Sequence, residues 1–580
     1  MKSKKLVSVL LVLGLVTTLF SGCGKKETQT EGVGTDSASD SAESEAGGGY
    51  LTAAELYKGG VADFKYKAGE FKKYEDTLHL TFGRPIDFNA TELVAMAEAG
   101  EPVENNRWIQ YYRDALNIEC EYGLTNASGG DYNQQILLAM SAGELPDIFQ
   151  VYDLSMLSQL AEAGAIWDLT EIYQDNVNET LGNLLESEGT AIYSTGMYDN
   201  RLYAIPQKMP STNAYDHCWV RRDWLEEQGL DVPETMDDVK NIARTFVDNY
   251  EDNIGLMFSN SYMFEYQAIF WAFGGGDNNS RDQWLLQPDG KLAYSEVQPE
   301  MKEGLKWLND MYESGLINPE WSTEDTYAAL NNYVATNRCG IFFGPHWYGF
   351  SLQAFEQTMD ESADWISCGI PTGKEGVEIQ VKANNVVDGW LCVNKDCENP
   401  EAVIQLLNAY SEKLFGANND FENFFACKEN SSLRKATPLW TLSATVDLDP
   451  CESMIRAYDP ETGVMKEEEL EGAGKTYWNY IKEDMSAYKY MFGPVDSCFS
   501  FVHKTYPDII LWNQYQGAPT PTQNDRWSSM QEMIDTYCLK MINGEIEIDS
   551  GFDEMVQKWN ELGGTQVTAE VNEMYASFNE

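Results

Sequence analysis

Histidine is scarce in this chain. There are four in 580 residues, His79, His217, His346 and His503, and none stands in an HExxH zinc pattern. No GxSxG nucleophile elbow occurs. Gly472-Ala473-Gly474-Lys475-Thr476 has the tail of a phosphate loop, but position 469, where that loop needs its first glycine, holds Glu469. Positive charge is also short. Forty Lys and Arg face 93 Asp and Glu, a formal charge of −53. Nucleic-acid binding needs a basic footprint, so that class of partner is excluded. An acidic surface suits solubility outside a cell. The eleven cysteines contain no CxxC, and the spacing of Cys392 and Cys397 matches no zinc pattern. Disulfides form in oxidising compartments, but spacing alone assigns no pair. No metal and no cofactor is expected.

Long apolar runs are missing too, with one exception at the start. Lys2, Lys4 and Lys5 precede an apolar and small-residue run from Leu6 to Phe20, followed by Ser21-Gly22-Cys23. A basic n-region, a short h-region and small residues before the cut define a secretory signal peptide. The run is short for a membrane span of about 20 residues. Its end resembles a bacterial lipobox, in which the cysteine is lipidated and becomes the mature N-terminus. The pattern usually has Leu three places before the cysteine; Phe20 stands there, with Leu19 one further back. An ordinary signal peptide with an incidental cysteine is the alternative. From Gly24 to Gly49 the chain is small and polar, with Val33 its one large aliphatic. Such a segment buries too little apolar surface to order itself and reads as a flexible tether.

The remaining length exceeds a single core, so two or more domains are expected. Strands and helices alternate. Leu78 to Gly83 alternates as a strand. From Asn106 to Leu116, Trp108, Tyr111, Tyr112 and Ala115 fall on one helical face. A strand at 117–122, a helix from Tyr132 to Ser141 and a strand at 147–151 follow. This order predicts a doubly wound parallel sheet. Ligands of such sheets bind outside the carboxyl ends of strands, which singles out Arg84, Tyr152 and Asp153. Further on, Arg222 to Gln228 reads as a helix closed by Gly229. Thr235 caps the next helix, with Asp238 completing a capping box, and Asn399-Pro400-Glu401 begins another. Aromatics make up 12% of the chain, with 16 Trp and 32 Tyr. Many belong to the core, but aromatic faces also stack on the flat C–H patches of sugars.

Several segments carry a family resemblance in order. Gly143-Glu144-Leu145-Pro146-Asp147-Ile148 is similar to a G-x-x-P-D-I/V element, and Asp199 to Pro206 to a D-G-K-L-Y-A-I-P element. Val220-Arg221-Arg222-Asp223-Trp224-Leu225, with Gly229 to Thr235, is similar to R-K-D-W-L…G-L-x-V-P-x-T. Gly315 to Glu320, Gly340 to Trp347, Asn399 to Ala402 and Phe552 to Tyr575 continue the register. Over residues 78–580 the chain resembles the family 1 extracellular solute-binding proteins of ABC importers, the maltose-binding type. Many relatives carry an acidic Asp-Pro-Asp-Gly-Asn-Gly loop. Here Phe246 to Ile254 lacks the spacing a calcium loop needs, so no calcium site is expected.

The resemblance implies an α/β, two-lobed periplasmic-binding-protein fold with hinge strands and an interlobe cleft, preceded by signal peptide and tether. The implied layout is signal peptide 1–22, lipidated tether 23–49, first lobe 50–210 and second lobe 211–388. Residues 389–580 then return to the first lobe and end in a helical region shared by both. Crossings are expected near Pro206 to Tyr215 and Asn384 to Val393. The relatives stack a Trp just after Gly-Pro on the sugar; here His346 intervenes before Trp347. Trp347 is the first cleft candidate, followed by Trp390 and Trp271, with Tyr266 and Asn213 also proposed; Cys23 would carry the lipid. The implied function is a monomeric, lipid-anchored capture subunit on the outer face of the cytoplasmic membrane. It would hand a carbohydrate, as an oligosaccharide, to ABC permease subunits without catalysing a reaction. Acidic residues are too abundant for a catalytic pair to be picked out, so a surface glycoside hydrolase or lyase is the rival. A binder of peptides or other polar solutes and an adhesion lipoprotein are further alternatives.

Overall fold

The computed structural model describes residues 71–579 except 127–128, 188–189, 261–263, 278–280, 374–377, 384–386, 426–432, 507 and 516–518. The expected signal peptide and tether, with Cys23, lie outside the described residues, as do Asn384, Asn385 and Val386 of the second expected crossing. Among the described residues no helix is long and apolar enough to cross a membrane.

The first lobe is built on β1 (Leu78–Gly83), α1 (Arg107–Leu116), β2 (Ile118–Leu124), α2 (Gly129–Ala142), β3 (Ile148–Val151), α3 (Leu154–Glu162) and β4 (Ala204–Lys208). In β1 the alternation buries Leu80 and Phe82 and leaves His79 outside. Helix α1 starts because the Asn106 side chain accepts from the amides of Trp108 and Ile109, and stops at Asn117, whose φ of 60° is left-handed. Its buried face carries Trp108, Tyr112 and Leu116. Burial of such side chains contributes about 1.5–3 kcal/mol each.

The second lobe follows with β5 (Asp216–Arg221), α4 (Arg222–Gln228), α5 (Met236–Asn249), α6 (Phe264–Ala272), α7 (Met301–Glu313), β6 (Ile341–Pro345), α8 (Tyr348–Thr358) and β7 (Trp365–Ser367). Helix α4 ends at Gly229, with φ of 66°. Helix α5 begins with the Thr235–Asp238 capping box expected from sequence. Buried Arg221 holds the sheet to α4. It pairs with Asp223 at 2.6 Å and Asp360 at 3.0 Å, and lies over the rings of Trp224 and Trp365.

The chain then re-enters the first sheet as β8 (Val387–Val393) and continues into α9 (Ala402–Phe415), which packs against α1. Helix α9 starts two residues later than Asn399-Pro400 suggests. Residues 399–402 form a tighter turn, in which the Ala402 amide donates to the Asn399 carbonyl, and no side chain caps the helix. Helices α10 (Leu448–Ala457) and α11 (Cys498–Thr505) pack on each other. The closing helices α12 (Pro521–Ile542), α13 (Ile548–Trp559) and α14 (Thr565–Asn579) gather around α7 and the 292–294 strand.

The first sheet has the order β2-β1-β3-β8-β4. As the βαβαβ pattern requires, β1 is parallel to β2 and β3; β8 is antiparallel to β3 and β4. The second sheet, β6-β5-β7, is antiparallel throughout. Strands β4 and β5 thus belong to different sheets, joined by residues 209–215.

Candidate functional site

Strand direction fixes where the two sheets present their ends. Strands β1 to β4 run one way and β8 the other, so the carboxyl ends of the four and the start of β8 share one edge. Arg84, Tyr152, Asp153 and Asp388 stand along it. Arg84 donates from Nη1 to the Thr437 carbonyl at 2.6 Å, while its buried Nε has no protein partner. Its charge opposes the rise that burial imposes on the phenols of Tyr122, Tyr132 and Tyr152, so all three lie close to it. The Tyr132 and Tyr152 rings meet edge to face at 6.3 Å, and Tyr152 is 36% exposed.

The second sheet brings the end of β6 beside the start of β5. Pro345 pairs with Asp216. The turn after β6, His346-Trp347, therefore lies where the chain arrives from the first lobe. Trp347 is half-buried, with its ring 5.1 Å from His346. Tyr348 opens α8, and Tyr327, 57% exposed, stands against it at 6.1 Å. Asp216 and Glu265 are buried below. Burial pushes the Asp216 carboxyl well above the carboxylate range, and neighbouring Glu265 adds to the rise. Burial also raises Glu265, against the hydroxyls of Ser259 and Thr326. Thr326 donates to both Glu265 oxygens, at 3.3 and 3.4 Å.

Between the sheets runs the connection, with a 3-10 turn at Ser211–Ala214. Residues 437–446 lie alongside as a further passage of the chain. Gln207 donates to the Trp440 carbonyl at 3.1 Å, the Lys208 amide to Thr441 Oγ1 at 3.1 Å, and the Thr212 hydroxyl to the Ala444 carbonyl at 3.2 Å. Lys382, on the neighbouring 381–383 strand, is buried, which brings its ammonium down to about 8.

This stretch holds an unusual concentration of buried polar atoms. Gln207 Oε1, Ser211 Oγ, Asn213 Oδ1, Asp216 Oδ2 and both ring nitrogens of His217 have no protein partner. Each such atom costs about 1–3 kcal/mol if left unpaired. Native interiors rarely tolerate one without a role; with Tyr215 Oη, seven such atoms stand within residues 207–217. Trp347 follows Pro345, the partner of Asp216, and Tyr327 stands against Tyr348 next to it, so hydrogen-bonding atoms and flat apolar faces occur together. Among the described residues no group of three or more His, Cys, Asp or Glu is disposed to hold a metal ion.

The residues singled out by sequence fall into two sets. Arg84, Tyr152, Asp153 and Trp390 lie at the carboxyl edge of the first sheet, Asn213 in the connection and Trp347 just after β6. Asp153 is partly committed: one of its oxygens caps α3 through the Ser155 and Met156 amides. The indole of Trp390 donates to Thr195 Oγ1 at 2.9 Å. Trp271 and Tyr266 are corrections. Both sit on α6, packed between the second sheet and α7, and are 1% and 2% exposed. The Trp271 indole is satisfied by the Asp277 carbonyl at 3.0 Å. A helix apolar on nearly all sides buries its rings in the core, and the glycines after Trp271 do not open it to a cleft. Sequence reading missed Asp216, Glu265 and Tyr327. Glu265 carried a signal, a single charge within the apolar run 262–273.

The model of the family "Bacterial extracellular solute-binding protein" matches residues 103–413. The chain is 21% identical over 460 residues to the polygalacturonan/rhamnogalacturonan-binding protein YtcQ of Bacillus subtilis (strain 168), covering 75% of this chain and 82% of that protein. It is 26% identical over 238 residues to the fructooligosaccharide ABC transporter substrate-binding protein FusA of Streptococcus pneumoniae serotype 4, covering 37% of this chain and 42% of that one. In structure it is similar to the calcium-free alginate-binding protein AlgQ2, with a TM-score of 0.57 and 17% identity over 88% of this chain and 100% of that one.

Proposed function

We propose, from the premise that this chain belongs to the bacterial extracellular solute-binding proteins, that it captures an oligosaccharide between its lobes and delivers it to an ABC permease. The observation that carries the reading is the set of partnerless buried polar atoms at 207–217, leading into β5 beside the turn that carries Trp347. Sugar hydroxyls match such atoms, and pyranose or furanose C–H faces match Tyr152, Tyr327 and Trp347. The names of YtcQ and FusA, both carbohydrate binders, support this ligand class.

The lobes would be 71–208 with 387–425, and 216–383 with 447–579, linked through 209–215 and 437–446. An open form binds; contacts from the second lobe favour the closed form, which docks on the permease. Cys23 would carry the lipid and 24–49 the leash, holding a monomer at the outer face of the membrane. The protein would bind without turnover.

The buried Asp216–Glu265 pair is the one arrangement that favours the hydrolase reading instead. The test is to incubate the protein with oligogalacturonides and fructooligosaccharides and size the recovered glycan. We expect saturable binding, intact glycan and weaker binding by Asp216→Asn. Glycan cleavage that Asp216→Asn abolishes would replace the binder with a hydrolase.

A further inference from the structure

Two cysteines face each other where β5 meets the end of β7. The pairing of Arg221, Val220 and Trp219 with Trp365, Ile366 and Ser367 ends there, and Cys218 then meets two residues of the other strand, Cys368 and Gly369, in a bulge. Backbone hydrogen bonds hold Cys218 against both. The Cys368 amide donates to the Cys218 carbonyl at 3.0 Å, and the Cys218 amide to the Gly369 carbonyl at 2.9 Å. Opposed residues in antiparallel strands have Cβ atoms about 4.5–5.5 Å apart, close to disulfide reach. Cys368 Sγ lies 3.4 Å from the Cys218 carbonyl oxygen, so the Cys368 thiol stands directly against Cys218.

Access is unequal. Cys218 is fully buried, whereas Cys368 is half-buried and lines a surface pocket of about 370 Å³ with Arg222, Ser500, Phe501 and Lys504. The mouth carries Arg222 and Lys504 together with Glu226, Asp231 and Asp496. The solute-binding family is extracellular, a setting in which disulfides persist.

We propose that Cys218 and Cys368 are an oxidisable pair that closes into a disulfide stapling β5 to β7, next to the interlobe connection. The co-reactant is an external disulfide, glutathione-like or on an oxidoreductase. The Cys368 thiolate attacks one of its sulfurs, forming a mixed disulfide and expelling the first thiolate. Cys218 gives up its proton and attacks Cys368 Sγ, expelling the second. Two electrons and two protons leave the pair, and one disulfide becomes two thiols. The bridge would close a loop spanning residues 218–368, and long loops gain most from closure.

The test exposes the full chain to oxidised glutathione, then counts thiols after denaturation and maps peptides without reduction. The proposal expects two fewer thiols, a Cys218–Cys368 peptide pair, a Tm several degrees higher that dithiothreitol reverses, and the same pair in Cys498→Ser. Cys368→Ser should lose both the pair and the Tm gain while keeping the reduced protein's Tm. An unchanged thiol count, a Cys368–Cys498 linkage or a persistent glutathione adduct on Cys368 would overturn it. No outcome depends on the ligand being a sugar.

Discussion

Replacing Trp271 by Ala removes a core side chain and should destabilise the protein by about 3–5 kcal/mol, read by chemical denaturation. Glycan affinity per folded molecule should hold. Trp347→Ala should do the reverse, weakening glycan binding about tenfold by calorimetry with only a small loss of stability. His217 gives a signed pH effect. Burial lowers its pKa to about 3, whereas the unfolded chain titrates near 6.5. Between those values the unfolded state binds more protons, so this contribution is complete above pH 6.5 and is lost as pH falls toward 3. His217→Asn lacks that titration. The stability of wild type relative to the variant should therefore decline as pH drops through the window, measured by urea melts. Residue roles were only partly legible in sequence. Trp347 and Trp271 are chemically alike, and what separates them is the packing of α6 between a sheet and α7, which a local pattern does not encode.

Gly389 matters at the scale of the strand. Its φ is 95°, and an added Cβ would stand 2.6 Å from Gln150 Nε2 and 2.8 Å from the Val151 carbonyl oxygen. The β8–β4 register shifts between Val387 and Trp390, so the glycine allows the irregularity that sets Trp390 beside Val151. Gly389→Ala should cost about 2 kcal/mol or more and weaken ligand binding by moving the start of β8, checked by paired melts and titrations. Elements with strong local signals were readable: β1, α1, β2, β3, α4 and the α5 cap stand within a residue or two of expectation, because alternation, caps and left-handed stops are local. The passage at 437–446 was not. It has no helical or strand period, and the hydrogen bonds that tie it to the connection reach more than 200 residues away in sequence, as from Gln207 to Trp440.

At the scale of the molecule, the fold was legible through the order of family segments, and two α/β lobes are what the chain forms. The site followed only in outline. The carboxyl-edge rule puts Arg84 and Tyr152 at the strand ends of the first sheet, while the neighbourhood of Trp347 depends on the Pro345–Asp216 register, which only the folded sheet displays. The most direct test of capture between the lobes is a thermal-shift screen of the full chain against oligosaccharides and peptides, with recovered glycans sized. A ligand at 100 times its Kd should stabilise by about 2.7 kcal/mol. The account predicts a saturable rise in Tm with one glycan class, the glycan intact, and a smaller rise in Asn213→Ala. A response to peptides alone, or a shift accompanied by glycan breakdown, would contradict it.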